Sequence, residues 1–450
     1  MYTRAVIRVL ERLGNSARLA RLMAGEARIA YLPEETLMER QAARFRSLVQ
    51  HAYLHVPYYR EWMRAAGAEP GDLRSPGDLH RMPLVDKLEL TLHPERFASA
   101  AHSGSDGLTL LSSGTSGRRR SFRYDTPALF EALAAGRRQR LALRTFVGRE
   151  TGYREAVINR EGSAGAQIRG FWESRMVNPR WIDLTRRRIP PGLPFSDLLA
   201  ALNEFRPHVC HGFGSHVGAF LRWVWETGRH LEKPHVVTYG EDAMPACDRQ
   251  LIEEQMGIPV MSYYEAIEAL RIGFQCEARR GFHISVDQVA VRVVNAKGDE
   301  ARPGERGELI LTNLSNRATV VMNYRLGDLV TPGAGKCPCG RTLPLIADID
   351  GRLDDLIERP DGSRLHALTV IPKLQAVPGL SQVQVIQKGV DEFLLRVVWE
   401  RGAAQPGEEL RRRMAEVLGD GVAITVEPVE RLPQEPSGKV RTIVSGLKNG

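Results

Sequence analysis

The residues in this chain best suited to chemistry lie near its two ends. Leu111-Ser112-Ser113-Gly114-Thr115-Ser116-Gly117 runs into Arg118-Arg119-Arg120, and Pro436-Ser437-Gly438-Lys439-Val440-Arg441 follows some three hundred residues later. Hydroxyls and glycines gathered in one loop supply side-chain and backbone donors that can wrap phosphate oxygens. A lysine on a turn supplies a point charge for the same anion. Together they point to nucleotide chemistry. Taken alone, the loop also has a plain reading as a solvated turn between apolar runs. Its left flank favours the phosphate reading, because Leu108-Thr109-Leu110-Leu111 reads as a strand running straight into the loop. No Gly-Lys-Ser/Thr follows at Walker A spacing, which disfavours a kinase or GTPase of that class.

Such residues need a scaffold. At 450 residues with 43% hydrophobic content, the chain can bury a large core and suits one big domain plus a smaller one. Lys and Arg number 62 against 54 Asp and Glu, a net charge of +8, with visible clusters at Arg118 to Arg120, Arg186 to Arg188 and Arg411 to Arg413. That surplus favours anionic ligands such as nucleotides at least as well as nucleic acid, and no nucleic-acid motif is present. Met1 to Arg21 alternates apolar and basic residues at helical spacing, with apolar runs too short for a signal peptide or a membrane span. Two readings stay open there: an amphipathic helix docked on the core, which is favoured, and a helix lying on a membrane surface. A cytoplasmic location is the default expectation. With five cysteines, a disulfide framework is not expected.

Pro33 to Met63 reads as helical and contains the aromatic turn Val56-Pro57-Tyr58-Tyr59; residues 126 to 145 read as another helix. Helical stretches then alternate with short apolar strands, among them Val236 to Tyr239 and Ile258 to Tyr264, the pattern of an α/β core. After about residue 285 the texture changes to strands and turns, including Val289 to Val294 and Leu309 to Thr312. Beyond Gly351, strands near 382–387 and 393–399, a helix near 407–418 and a strand near 422–427 predict a small α+β domain. The expected division is therefore 1–350 and 351–450.

Four more segments fall between the opening pair: Gly240-Glu241-Asp242, Tyr264-Glu265-Ala266-Ile267-Glu268, Tyr324-Arg325-Leu326-Gly327-Asp328 and Gly351-Arg352-Leu353-Asp354-Asp355. With all six in order, nearly the whole chain resembles the adenylate-forming superfamily of acyl-CoA synthetases, and within it the phenylacetate-CoA ligase and CapK-like group. The resemblance implies a large multi-sheet α/β domain and a small mobile C-terminal lid. By it, Ser112, Ser113, Gly114, Thr115, Ser116 and Gly117 form the phosphate loop, with Thr115 counted among the catalytic groups, and Gly240, Glu241 and Asp242 line the adenine. Tyr264 stacks on the base, Glu265 lies beside it, and Glu268 helps hold Mg²⁺. Asp328 binds the ribose hydroxyls, Arg352 approaches the nucleotide, Asp354 is the hinge, and Lys439 neutralises charge during adenylation. Glu265 and Ile267 depart from the family's Tyr-Gly-x-Thr-Glu pattern, where glycine and threonine stand. Singly, each segment has a plain alternative: Asp328 capping a turn, or Arg352 and Asp354 forming a surface ion pair.

The chemistry so implied is ATP-dependent, AMP-forming activation of a carboxylic acid, with coenzyme A as the acceptor. Two competing readings are an adenylating enzyme that passes the acyl or adenylyl group to an amine or hydroxyl, and a catalytically silent nucleotide-binding protein. His211-Gly212-Phe213 and Tyr239 fall where the superfamily lines its acyl pocket, and the two aromatic rings mildly favour an aryl acid. The acid and the oligomeric state, a homodimer included, stay open.

Cys276, His283, Cys337 and Cys339 form a second candidate site. Three thiols and one imidazole suit tetrahedral Zn²⁺, and a closed set of four reads as structural. The alternative is a buried apolar Cys276 and an ordinary strand histidine at His283. The Cys-Pro-Cys-Gly turn is similar to one in zinc-carrying members of the same group, which tips the balance toward zinc. Cys210 and Cys247 are expected to be ordinary thiols.

Overall fold

The structure is a computed structural model that describes residues 2–104, 106–112, 120–177, 185–353, 356–366, 370–371, 373–374, 376–399, 404–419, 421–430, 432–433 and 443–445. The chain divides into two compact units, Met1–Leu326 with Thr331–Asp348, and Gly327–Val330 with Ile349–Gly450.

The first unit opens with helices α1 (Tyr2–Ile29), α2 (Glu34–His55), α3 (Pro57–Ala65) and the short α4 (Lys87–Leu92). The single helix expected over 33–63 is two, because Val56 takes an extended conformation, φ −118° and ψ 115°. A proline disfavours the helical region for the residue before it, so the break falls at Val56-Pro57. An antiparallel hairpin of β1 (Gly107–Leu111) and β2 (Ser121–Asp125) follows, then α5 (Thr126–Val147), whose first turn is capped by Asp125 through a 2.8 Å bond from the Ala128 N–H.

Alternating strands and helices come next: β3 (Arg154–Ile158), α6 (Ala164–Arg175), β4 (Thr185–Ile189), α7 (Phe195–Phe205), β5 (Val209–Phe213), α8 (Gly214–Glu226), β6 (Val236–Gly240), α9 (Ala246–Gln250) and β7 (Val260–Tyr264). Their strands pair in parallel in the order β4-β3-β5-β6-β7. Every residue of β6 is buried, as parallel strands covered on both faces by crossover helices require, and this explains its continuous apolar run. Ile158, Cys210, Val237 and Val260 from the strands share one core with Leu198, Leu202, Val217, Phe220 and Ile252 from the helices. The order turns around at β3, with β4 on one side of it and β5 on the other. Parallel sheets bind ligands beyond the carboxyl ends of their strands near such a point.

The remaining strands of the sheet are β8 (Gly273–Phe274), β9 (Phe282–Ile284), β10 (Val289–Val294), β11 (Gly307–Asn313), β12 (Tyr324–Pro332) and β13 (Leu345–Arg352). They extend it to eleven strands in the order β10-β11-β12-β13-β9-β8-β7-β6-β5-β3-β4. Antiparallel pairing begins at β7–β8 and continues through β8–β9 and β9–β13. The change of texture read after residue 285 thus begins somewhat earlier, at β8, a strand of two residues too short to leave a periodic signal.

The second unit holds β14 (Leu356–Glu358) paired with β15 (Arg364–His366), and a four-stranded sheet ordered β18-β17-β16-β19. Its strands are β16 (Leu380–Gln387), β17 (Glu392–Trp399), β18 (Ala423–Pro428) and β19 (Ile443–Ser445). Helix α10 (Gly407–Leu418) carries Glu408 and Glu409 in its first turn, where carboxylates complement the positive end of the helix dipole. It buries Leu410, Met414 and Val417 with Val383, Val385, Phe393 and Leu395 of the sheet.

Two buried polar side chains in the first unit carry measurable consequences. Arg138 on α5 is 1% exposed; its Nε donates to Glu26 at 2.6 Å, and its Nη1 and Nη2 donate to the two Asp287 oxygens at 2.8 and 2.7 Å. This one guanidinium ties α1, α5 and the turn before β10 together. Removing one partner of such a network strands the others' charges in the interior. Arg138→Met is expected to lower unfolding stability by about 3–5 kcal/mol, read from the urea midpoint. His216 on α8 lies edge-on to Phe195, with ring centroids 5.6 Å apart, and burial pushes its pKa from 6.5 down to about 4. The unfolded chain therefore takes up that proton first as pH falls. Stability from this group is complete above pH 6.5 and is lost as pH falls toward 4, by roughly 3 kcal/mol in all. Urea melts at pH 7 and pH 5 should show His216→Gln losing less stability between the two than the parent chain.

Candidate active site

The β1–β2 hairpin delivers the hydroxyl- and glycine-rich loop, and what the structure describes of it is the base. The Ser112 N–H donates to the Arg120 carbonyl at 2.8 Å, and the Arg120 N–H donates back to Ser112 Oγ at 3.1 Å. Ser113, Gly114, Thr115, Ser116 and Gly117 lie outside the described residues, together with Arg118, Arg119, Asp354 and Lys439. Arg120 turns inward from this base. It is buried, its Nη2 lies 3.9 Å from Glu268 Oε1, and its buried Nε has no hydrogen-bond partner among the described residues. The loop base and the carboxylate of the Tyr264–Glu268 segment are thus neighbours.

That segment leaves the carboxyl end of β7 and is pinned on several sides. The Tyr124 hydroxyl donates to the Ile267 carbonyl at 2.5 Å, and Asn313 Nδ2 donates to the Glu268 carbonyl at 3.0 Å. Burial, then the nearby Glu268 charge, keeps the Tyr124 hydroxyl far above its ordinary pKa, so it stays a neutral donor. Glu265, where the resemblance has glycine, pairs with Arg271 at 2.7 Å. Arg271 also donates to Gln139 at 2.5 Å and to the Ala132 carbonyl at 2.8 Å. Tyr264 is mostly buried and lies 6.2 Å from the Phe282 ring at 65°.

The neighbouring strands end beside it. Gly240-Glu241-Asp242 leaves β6 with Glu241 at φ 67°, a left-handed conformation uncommon for residues other than glycine. Asp242 accepts from the Ser215 hydroxyl at 2.5 Å at the start of α8. Gly214 is required there, because a Cβ would sit 2.5 Å from the Met244 N and 2.8 Å from the Tyr239 ring. On β5, His211 Nδ1 lies 3.0 Å from Thr238 Oγ1, and its ring stacks on Tyr263 with centroids 5.8 Å apart. A Cβ on Gly212 would meet Val217 at 2.7 Å. Phe213 and Tyr239, the two rings expected to flank a substrate, are both buried in the first unit. In the second unit Arg352 Nη1 lies 3.2 Å from Asp328 Oδ1.

Sequence reasoning noted the three arginines after the loop without separating them, and it missed Tyr124, Asn313 and Arg271. A tyrosine seven residues past the loop carries no local mark of where its hydroxyl will reach. Only the hairpin register and the sheet order bring these side chains to one segment.

Cys276, His283, Cys337 and Cys339 also come together: one ligand atom from each lies within 4.8 Å of the others. Cys276 and Cys337 Sγ are 3.6 Å apart, and Cys339 Sγ is 3.3 Å from His283 Nε2. The other ring nitrogen, Nδ1, lies 3.3 Å from the Leu343 carbonyl, and burial holds the imidazole pKa down at about 4. The ring is therefore neutral with Nε2 turned toward the sulfurs. Cys210 is buried in the core, and Cys247 is exposed.

Residues 357–446 match the family model of the CapK C-terminal domain. The phenylacetate-coenzyme A ligase of Thermus thermophilus is 27% identical over 92% of this chain and 97% of its own length, and that of Escherichia coli is 26% identical over 72% of each. A 2-hydroxyisobutyryl-CoA ligase, solved in its postadenylation state with an acyl-AMP, superposes with a TM-score of 0.72 at 21% identity, covering 93% of this chain and 91% of that one. Among the described residues no helix is long and apolar enough to cross a membrane. Residues 357–446 thus match the CapK C-terminal domain family, and the chain is similar over most of its length to phenylacetate-coenzyme A ligases.

Proposed function

We propose that this chain activates a carboxylic acid with ATP and transfers the acyl group to coenzyme A, releasing pyrophosphate and then AMP. The observation that supports this most directly is the buried meeting of Arg120, from the base of the phosphate loop, with Glu268, from the end of the aromatic-carboxylate motif. A carboxylate oxygen attacks the α-phosphorus of ATP and pyrophosphate leaves, giving the acyl-adenylate; the CoA thiol then attacks the carbonyl, loses its proton, and AMP leaves. The first step brings two anions together, so catalysis is mainly positioning and charge neutralisation.

In this reading the donors of Ser112 to Gly117 cradle the phosphates, with Thr115 beside the reacting phosphorus, while Gly240, Glu241, Asp242, Tyr264 and Glu265 bound the adenine. One buried carboxylate at Glu268, facing phosphate oxygens, fits Mg²⁺, which takes oxygen ligands and keeps several waters. When bound there it supplies further positive charge. Asp328 holds the ribose, Arg352 approaches the nucleotide, and Asp354 is the pivot of a small domain, 351–450, that brings Lys439 to the α-phosphate for the first step only. His211, Gly212, Phe213 and Tyr239 bound the acid, and the buried rings of Phe213 and Tyr239 support an aryl acid. The proposed location is the cytoplasm, where ATP and CoA are supplied.

The match of residues 357–446 to the CapK C-terminal domain supports a second reading, in which an amine or hydroxyl replaces CoA as acceptor. ATP–pyrophosphate exchange over a panel of carboxylic acids, followed by AMP release with and without CoA, separates the readings. Exchange with CoA-dependent turnover is expected. Exchange without it would leave the second reading, and no exchange with any acid despite ATP binding would leave a silent nucleotide-binding protein.

Lys439→Ala is expected to slow adenylation by roughly 100-fold or more and to leave thioester formation from a supplied acyl-adenylate within a few-fold of the parent. Equal loss of both half-reactions would refute the role given to the small domain.

The Cys276, His283, Cys337 and Cys339 cluster fits structural Zn²⁺. With Zn–S bonds of about 2.3 Å a tetrahedral site has edges of about 3.7 Å, close to the 3.6 Å between Cys276 and Cys337. The Leu343 carbonyl beside His283 Nδ1 fixes the ring as second-sphere partners of zinc histidines do. Metal analysis is expected to find one zinc per chain. Cys337→Ser should lose it and lower the Tm by on the order of 5 °C or more, while exchange activity of the folded protein falls far less.

A further inference from the structure

Helix α1 is built inside out at its start. From Val6 to Gly14 every residue is exposed, and Val6, Ile7, Val9, Leu10 and Leu13 lie between 48% and 61% exposed. Val6, Val9, Leu10 and Leu13 follow the i, i+3, i+4, i+7 spacing of a single helical face, with Ile7 at its flank. Arg8, Glu11, Arg12 and Asn15 take the opposite face. An amphipathic helix docked on a globular body turns its apolar face inward. Here the polar side makes the attachment: Arg12 donates to the Met176 carbonyl at 2.6 Å, Asn15 donates to the Arg175 carbonyl at 3.1 Å, and Ser16 donates to the Val177 carbonyl at 3.0 Å. These bonds leave the apolar stripe pointing away from the rest of the first unit. Most helical stability in proteins comes from packing such a face, so the stripe calls for a partner surface.

Charge identifies the partner. Tyr2 to Arg21 carries Arg4, Arg8, Arg12, Arg18 and Arg21 against the single acid Glu11, and Arg8 makes no ion pair among the described residues. A short apolar stripe on a helix of net positive charge fits the interface of a bilayer containing acidic lipids, where aliphatic side chains enter the headgroup boundary and the positive charge is drawn to the anionic surface. A second copy of the chain fits less well. Five half-exposed aliphatic side chains offer roughly a few hundred Å² at most, below the about 800 Å² per partner of a stable interface. We infer that the first three turns of α1 form a membrane-surface anchor that holds this ligase against acidic lipid.

Flotation of the full-length protein with vesicles tests this. Binding to phosphatidylcholine vesicles containing about one-third phosphatidylglycerol should exceed binding to pure phosphatidylcholine by tenfold or more and fall as salt is raised. The double variant Val9→Glu, Leu10→Glu should abolish it, and Arg8→Glu should weaken it several-fold. Both variants alter exposed side chains, so the melting temperature and ATP–pyrophosphate exchange should match the parent. No binding to the acidic vesicles, equal binding to both compositions, or binding unchanged by the double variant would each overturn the inference. Concentration-dependent self-association that the double variant removes, without vesicle binding, would overturn it in favour of a second copy.

Discussion

In the function proposed for this chain, repulsion between two anions is the constraint around which the site is arranged. A carboxylate and a triphosphate at contact distance repel by about 1 kcal/mol per charge pair in water and by several-fold more in a site that excludes it. Such a reaction needs no general base. It needs fixed positive charge and donors, placed before the substrates arrive. The buried guanidinium of Arg120, held by the hairpin base at Ser112 and facing Glu268, is a group of that kind. Its Nε donor is desolvated and has no hydrogen-bond partner among the described residues.

The sheet gives that arrangement its rigidity. Parallel pairing from β3 through β7 aligns the carboxyl ends of β5, β6 and β7, and the segments 211–215, 239–242 and 263–268 all leave from that edge. Where each segment goes is then decided by close contacts. Gly214 admits the turn at Met244, Asp242 closes on Ser215, and Tyr124 and Asn313 hold the backbone of Ile267 and Glu268. The same antiparallel part of the sheet that supplies Asn313 continues to β9 and β13, where His283 and Leu345 are register partners, and the cysteine cluster gathers beside these strands.

Much of this was legible in the sequence, and the reasons are local. Alternating apolar strands and helices gave the α/β core, the spacing at 289–294 and 407–418 marked β10 and α10, and the three thiols with one imidazole proposed themselves as a set. Three things were not legible. The break at Val56 needed the weight of one proline against a strong helical period. The strand pair β8–β9 is too short for periodicity to register. The partners of the Tyr264–Glu268 segment come from β2, α5 and β11, and no sequence spacing encodes a sheet order of eleven strands. The first turns of α1 show the reverse case: the amphipathic period was plain, but the face that docks is the polar one, and only the bonds to residues 175–177 reveal it.

The departure of the motif from its family pattern has a physical account in Glu265. A glycine at this position leaves the segment's backbone open on the side of α5, whereas Glu265 sends a carboxylate to Arg271, which in turn reaches Gln139 and the Ala132 carbonyl on that helix. The guanidinium lies over Gly136, where a Cβ would stand only 3.1 Å from Arg271 Nη2. The acid, the arginine and the small residue beneath it therefore form one unit, and each makes sense only with the others. Glu265 thus adds a tether to α5 that a glycine could not make, and the segment gains stiffness at the point where it turns toward Glu268. Part of this ion pair is open to solvent, so its worth lies less in stability than in direction. It fixes the start of the segment that leads to Glu268 against α5.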